Sequence, residues 1–197
     1  MRPDLDVVAE LVPAGSRVLD LGCGDGALLE HLLRERGCAG TGVEIRGAEV
    51  VACIERGVPV IEGDIDEGLA DFEDGSFDLV VVSQTLQATR SPLLVLREVM
   101  RVGRRGLVSI PNFGHWRLRA DFFFRGRMPS SGALPHTWYE TPNIHLATIA
   151  DFERLLAAER ISILDRVLLR NGGTPARRVP LPNVTAAGAV YLLERRT

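Results

Sequence analysis

Lysine is absent from this chain; all 23 basic residues are arginine. That excludes Schiff-base chemistry on a lysine amine. Cysteine is scarce. Cys23, Cys38 and Cys53 form an odd set without CxxC spacing. They argue against a disulfide framework or a zinc site and for a reducing, cytoplasmic setting. Apolar runs are short, none approaching the roughly 20 residues of a membrane span. The stretch Met1–Asp6 is too polar for a secretory signal. Positive charge is not in excess either. The net charge is -3, which gives no global field for nucleic acid. What remains is ordinary for a globular protein: 46% hydrophobic and 25% charged residues in a chain of 197. Residues 1–197 are expected to form a single domain.

Strand and helix patterns alternate along most of the chain. Helices are expected over Asp4–Val12, Ala27–Arg36, Gly47–Arg56, Pro92–Val102 and Thr148–Glu159. Pro92 suits a first helical turn, and Thr148 with Asp151 reads as a capping box. Strands are expected over Arg17–Leu21, Thr41–Ile45, Pro59–Glu62, Phe77–Ser83, Gly106–Ile110, Ile161–Leu169 and Ala186–Glu194. The Asn171–Asn183 stretch, rich in Gly and Pro, reads as the loop between the last two strands. This order predicts a parallel α/β sheet with helices on both faces.

The most informative segment is Val18-Leu19-Asp20-Leu21-Gly22-Cys23-Gly24-Asp25-Gly26. An apolar strand ends in an acid, three alternating glycines follow, and a helix begins. Glycines let backbone N–H groups approach a ligand closely. A dinucleotide would place a dianionic pyrophosphate on such a loop, where Asp20 and Asp25 would repel it. S-adenosylmethionine (SAM) carries an ammonium and a sulfonium, which favour carboxylates. Asp20 is assigned to the ammonium end, directly or through water, and the Cys23 backbone to the floor of the cofactor. A GxGxxA dinucleotide match (Gly22, Gly24, Ala27) also exists. Glu44 stands eighteen positions beyond Gly26 and can accept two hydrogen bonds from a ribose diol, with Ile45 beside it. Asp64 can accept from an adenine amino group while Ile65 packs on the ring. Ser83 and Gln84, at the end of the fourth strand, face the methionine end.

One segment breaks the alternation. Residues 112–147 hold Phe113, Trp116, Phe122, Phe123, Phe124, Trp138 and Tyr139, most of the aromatics in the chain. Three of the four histidines, His115, His136 and His145, lie there too. An insertion at the carboxyl edge of an α/β sheet lies where ligands bind, so it reads as a lid or a partner-docking surface. Methyl transfer to a hydroxyl or amine needs alignment and usually a base. The base candidates are His115, His136, His145, Tyr139 and Glu140. A histidine beside Trp or Pro is more often packed than catalytic. No histidine spacing matches a metal motif, so no metal is expected. In Phe122-Phe123-Phe124-Arg125-Gly126-Arg127 three adjacent aromatics cannot all face inward on one helix. A core or protein-contact role fits them better than membrane or RNA.

The segment from about Arg17 to Ser83 resembles the class I SAM-dependent methyltransferases. That resemblance implies a Rossmann-like, doubly wound, seven-stranded sheet, mostly parallel with an antiparallel last strand at Ala186–Glu194. Two further segments are more specific: Ser109-Ile110-Pro111-Asn112-Phe113-Gly114-His115-Trp116-Arg117, and Leu134-Pro135-His136-Thr137-Trp138-Tyr139-Glu140-Thr141-Pro142-Asn143-Ile144-His145-Leu146. With Ser83-Gln84-Thr85-Leu86-Gln87, they resemble the MetW family of methionine biosynthesis proteins, over nearly the entire chain. Glu140 stands where that family has aspartate, and His136 where it has tyrosine.

The resemblance implies a SAM- or S-adenosylhomocysteine-binding protein that accompanies a MetX-type homoserine O-acyltransferase and is needed for its full activity. The chain has no GxSxG elbow, so acyl transfer belongs to the partner. An active methyltransferase on a small-molecule or protein acceptor is the alternative, and an NAD-type dehydrogenase a third. A homo-oligomer is compatible with all three.

Overall fold

The computed structural model describes residues 3–128, 140–141 and 145–196. One sheet of eight strands organises them: β1 (Arg17–Leu21), β2 (Ala39–Glu44), β3 (Val60–Glu62), β4 (Phe77–Ser83), β5 (Gly103–Pro111), β6 (Ile161–Leu169), β7 (Pro175–Ala176) and β8 (Gly188–Arg195). Their order is β3-β2-β1-β4-β5-β8-β6-β7. The pairs among β1 to β5 are all parallel, and β8 is antiparallel to both β5 and β6. This is the class I methyltransferase architecture with one strand more than the seven expected. The addition is β7, two residues paired antiparallel with Leu168 and Leu169 at the sheet edge. It falls in the stretch expected to be a loop. Proline and glycine obscure so short a strand.

The continuous apolar run of β4 has a simple cause. Val80 and Val82 pack on one face of the sheet, Leu79 and Val81 on the other. Both faces are covered, so every position is apolar. Helix α4 (Pro92–Val102) buries Val95, Leu96, Val99 and Met100 on the first face, with Ile149, Phe152 and Leu156 of α6 (Ile149–Ala158). On the second, α1 (Pro3–Leu11) buries Val7 and Val8, α2 (Ala27–Glu35) buries Leu28, Leu29 and Leu32, and α3 (Gly47–Glu55) buries Cys53. Thr148 and Asp151 form the capping box of α6, satisfying two donors at its start.

The insertion, expected as a lid or docking surface, is described over 112–128, 140–141 and 145–147. It opens with helix α5 (Trp116–Arg125), which the apolar pattern does not announce because Leu118 is its one buried residue. A further short helix, α7 (Pro182–Thr185), precedes β8. Neighbouring β1 and β4 carry their connections to opposite sides. Their carboxyl ends therefore flank a topological switch point, where a crevice opens.

Candidate functional site

A cleft of about 1290 Å³ occupies that crevice. It exceeds the roughly 300–1,000 Å³ typical of small-molecule sites, so a nucleoside with a side arm has room. Gly22, Cys23, Gly24 and Asp25 line it after β1, Glu44 and Ile45 after β2, Asp64 and Ile65 after β3, and Ser83 and Gln84 after β4. Apart from Asp20 and Gly26, the residues expected at a cofactor thus converge from four strands. Asp20 is 3% exposed within β1 and does not line the cleft.

All three loop glycines are required by geometry; Gly26, with φ +76° and a Cβ that would stand 2.9 Å from Cys53 Sγ, closes the turn without lining the cleft. Gly22 has φ +72°, and a Cβ there would stand 2.5 Å from Thr85 Cγ2. Gly24 has φ +56° and opens on free space, leaving a backbone cradle at the cleft wall. Between them Cys23 turns its thiol inward, 3.8 Å from Cys53 Sγ. Cys53 Sγ in turn donates to Gly24 O at 3.1 Å. Burial, then the Asp20 charge, pushes the Cys23 thiol well above its ordinary pKa; burial also raises Cys53. These are packing thiols beneath the loop.

Glu44 is 4% exposed and already engaged. Oε2 accepts from Gly24 N–H at 2.9 Å; Oε1 accepts from Ile45 N–H at 3.1 Å and Arg46 N–H at 3.0 Å. One carboxylate therefore ties the glycine loop to the turn after β2. It keeps acceptor capacity on Oε2 for a ligand hydroxyl.

The electrostatics are subtler than acids alone would give. Six carboxylates line the cleft: Asp25, Glu30, Glu44, Glu49, Asp64 and Asp66. Three arginines each bridge two of them. Arg46 meets Glu44 at 3.2 Å and Glu49 at 3.4 Å. Arg56 meets Asp25 at 2.7 Å and Glu30 at 2.8 Å. Arg90 meets Asp64 at 2.6 Å and Asp66 at 3.6 Å. Asp25 is thus ion-paired, and its repulsion of a phosphate is locally offset. The excess of negative charge comes from two acids sharing each arginine. Half or more of the Arg46 and Arg90 side chains is exposed, so these pairs are weak enough to open. Sequence reasoning missed all three arginines: Arg46 despite its closeness to Glu44 and Glu49, and Arg56 and Arg90 because nothing local links residue 25 to residue 56 or residue 64 to residue 90.

It also missed Asp4. This buried residue of α1 accepts at Oδ2 from Gln84 Nε2 at 3.1 Å and Ser83 Oγ at 3.3 Å. The carboxyl end of β4 therefore has an acid beside it, brought from 80 residues away. Gln84 itself sits at φ +52°, its N–H held by Ser109 O at 3.1 Å. A non-glycine residue held in the left-handed region at a cleft edge is the kind of strain that functional sites store.

Among the described residues, the base candidates His115, Glu140 and His145 do not line the cleft. His115 is 5% exposed and caps α5, with Nδ1 accepting from Arg117 N–H at 3.3 Å. Burial and then the Arg117 charge push its pKa down, against a smaller upward pull from the Thr185 backbone. It is a neutral, structural imidazole. His145 is exposed, its N–H bonded to Gln87 O at 3.0 Å, and Glu140 is exposed. His136, Trp138 and Tyr139 lie outside the described residues. Among the described residues no cluster of three His, Cys, Asp or Glu side chains could hold a metal, and no helix could cross a membrane.

Residues 2–193 match the family described as methionine biosynthesis protein MetW. The chain belongs to the MetW family. It is 38% identical over 173 residues to the bifunctional methionine biosynthesis protein MetXA/MetW of Rhodopirellula baltica, covering 83% of this chain and 28% of that one. It is also 33% identical over 98 residues to the ubiquinone biosynthesis O-methyltransferase of Pseudomonas aeruginosa, covering 47% of this chain and 42% of that protein. The chain therefore spans less than half the length of either curated relative. In structure it is similar to a SAM-dependent methyltransferase of Thermotoga maritima, with TM-score 0.71 and 18% identity over 98% of this chain and 88% of the other. That likeness is one of fold. In family and architecture the expectations from the glycine loop and the insertion motifs hold.

Proposed function

We propose that the cleft binds SAM or S-adenosylhomocysteine, and that this MetW-family protein is an accessory partner of a MetX-type homoserine O-acyltransferase. The observation that carries the first part is the anionic excess of a nucleoside-sized cleft. It favours a ligand with a positive centre over one with a pyrophosphate. Asp64 and Ile65 would hold the adenine, Glu44 the ribose, and Gln84 with the nearby Asp4 the amino-acid end. Bound SAM would supply an electrophilic methyl on a sulfonium. The chain's own residues bind and orient that group.

The second part rests on the relative in which a MetXA unit and a MetW unit share one polypeptide. Two functions fused in one organism are apt to act together when encoded apart. SAM derives from methionine, so a SAM-binding partner can report the pathway's output to an early step. The test is the acyltransferase rate with and without the purified chain, across a SAM titration. A rate raised by the chain and altered by SAM supports the reading. A rate indifferent to the chain removes the partnership; a rate indifferent to saturating SAM removes the regulation.

An active methyltransferase is the second reading, favoured by the identity to an O-methyltransferase. Against it, His115 caps a helix within the protein. Transfer of labelled methyl from SAM to protein or small-molecule acceptors, lost in Asp64→Ala, would establish it. We place the protein in the cytoplasm, where methionine synthesis and reduced thiols fit.

A further inference from the structure

Helix α5 is firmly held at its first turn and exposes most of its aromatic side chains. Asn112 Nδ2 donates to Ala186 O at 2.7 Å and Asn183 O at 3.1 Å, while its Oδ1 accepts from Gly114 N–H at 2.9 Å. Arg119 Nε donates to Gly114 O at 2.6 Å, fixing the first turn. Away from those contacts the helix exposes Trp116 by 49%, Phe122 by 57%, and Phe123 and Phe124 by 81% each, around a wide arc. Phe123 and Phe124 meet edge to face at 5.1 Å, and Arg117 stacks on Trp116 at 5.4 Å. Rigid aromatics and arginines of this kind dominate the energetics of protein interfaces, because they desolvate much area with few rotamers to fix.

We infer that this face of α5 docks the homoserine O-acyltransferase, its aromatics entering an apolar groove with an acidic rim. The inference rests on the partnership proposed above, and narrows it to a surface. The charge selects the rim. Arg117, Arg125 and Arg127 are exposed beside the aromatics, and among the described residues only Arg125 is ion-paired, with Asp121 at 2.8 Å, on a chain of net charge -3. A second copy would bring the same arginines against themselves, which like-charge repulsion disfavours. A flat lipid surface would engage one stripe of a helix, whereas Phe122, Phe123 and Phe124 step about 100° apart and span a wide arc. A groove matches that arc. The fused relative supplies the occupant, since its MetXA unit is tethered permanently beside its MetW unit.

The experiment is calorimetric titration of the purified full chain into the purified acyltransferase of the same organism. It compares wild type, Phe123→Ser/Phe124→Ser and Arg127→Glu with Val51→Ser/Ile54→Ser, which alters another exposed apolar pair on α3. Wild type should bind saturably and the double phenylalanine variant at least tenfold more weakly. Arg127→Glu should weaken binding and flatten its salt dependence, while the α3 variant matches wild type. Thermal melts confirm folding, and Arg127→Glu carries the test should the double variant not fold. Wild-type affinity in both the double phenylalanine variant and Arg127→Glu overturns the docking face while leaving the partnership standing. No binding by wild type overturns both. Wild-type sedimentation with phosphatidylglycerol vesicles, lost in the double variant, reassigns the face to lipid and overturns the inference.

Discussion

Arg90 lies across Asp64, its Nη2 2.6 Å from Oδ2 of the carboxylate assigned to the adenine amino group. Asp64 Oδ1 meanwhile accepts from Asp66 N–H at 2.9 Å. A ligand amine must share Oδ2 with Arg90 or displace it. Because the Arg90 side chain is 66% exposed, the pair is worth about 1 kcal/mol or less. Arg90→Ala should therefore tighten SAM binding by up to about fivefold, and Asp64→Ala should weaken it. Calorimetry on both variants checks this; weaker binding in Arg90→Ala would mean that the guanidinium itself contacts the ligand.

Glu44 is expected to act twice. Its carboxylate holds Gly24, Ile45 and Arg46 before any ribose arrives. Glu44→Ala leaves those N–H donors without their acceptor, so stability should fall by about 1–3 kcal/mol, with SAM affinity falling as well. Urea denaturation with and without ligand separates the two. A variant as stable as wild type but blind to SAM would restrict Glu44 to ligand binding.

The acid limb of stability should report two carboxyls. Burial raises Asp66, but N–H donation from Arg90 and Ser91 and the Arg90 charge outweigh it, and its pKa is lowered. Glu98 is lowered by hydrogen bonds from Arg101, with burial opposing and the Leu69 N–H assisting. Folded values below the ordinary ones give stability that is complete above the ordinary carboxylate pKa. That stability is lost as pH falls through the folded value. The melting temperature should hold from neutral pH to about 5 and drop below about 4. Asp66→Asn should start lower at neutral pH and fall less steeply; a curve parallel to wild type would rule out Asp66 as a contributor.

The thiols beneath the loop should be inert. Raised by burial, Cys23 and Cys53 hold little thiolate at neutral pH. Iodoacetamide should label them only as the chain unfolds, as followed by mass spectrometry in a urea series. Rapid labelling of Cys23 in native protein would show the loop opening.

Where the chain carries a local signal, the sequence was readable. Phe77–Ser83 and Pro92–Val102 match their elements residue for residue, because a doubly covered strand is apolar throughout and a proline marks a helix start. Asp25 and Asp64, beyond β1 and β3, and Glu44, the last residue of β2, were legible by their place at the strand ends. Helix α5 was not, since Trp116-Arg117-Leu118-Arg119-Ala120-Asp121-Phe122 buries only Leu118 and shows no inward stripe. Neither were Arg56, Arg90 or Asp4, whose partners lie 24 to 80 residues away. Such pairings are products of topology, and no window along the chain contains both members.

The most direct test is calorimetric titration of the purified chain with SAM and, separately, with NAD. Saturable heat with SAM, weakened in Asp64→Ala and Glu44→Ala, and none with NAD is the predicted result. Heat with NAD and none with SAM would contradict the charge argument on which the site assignment stands.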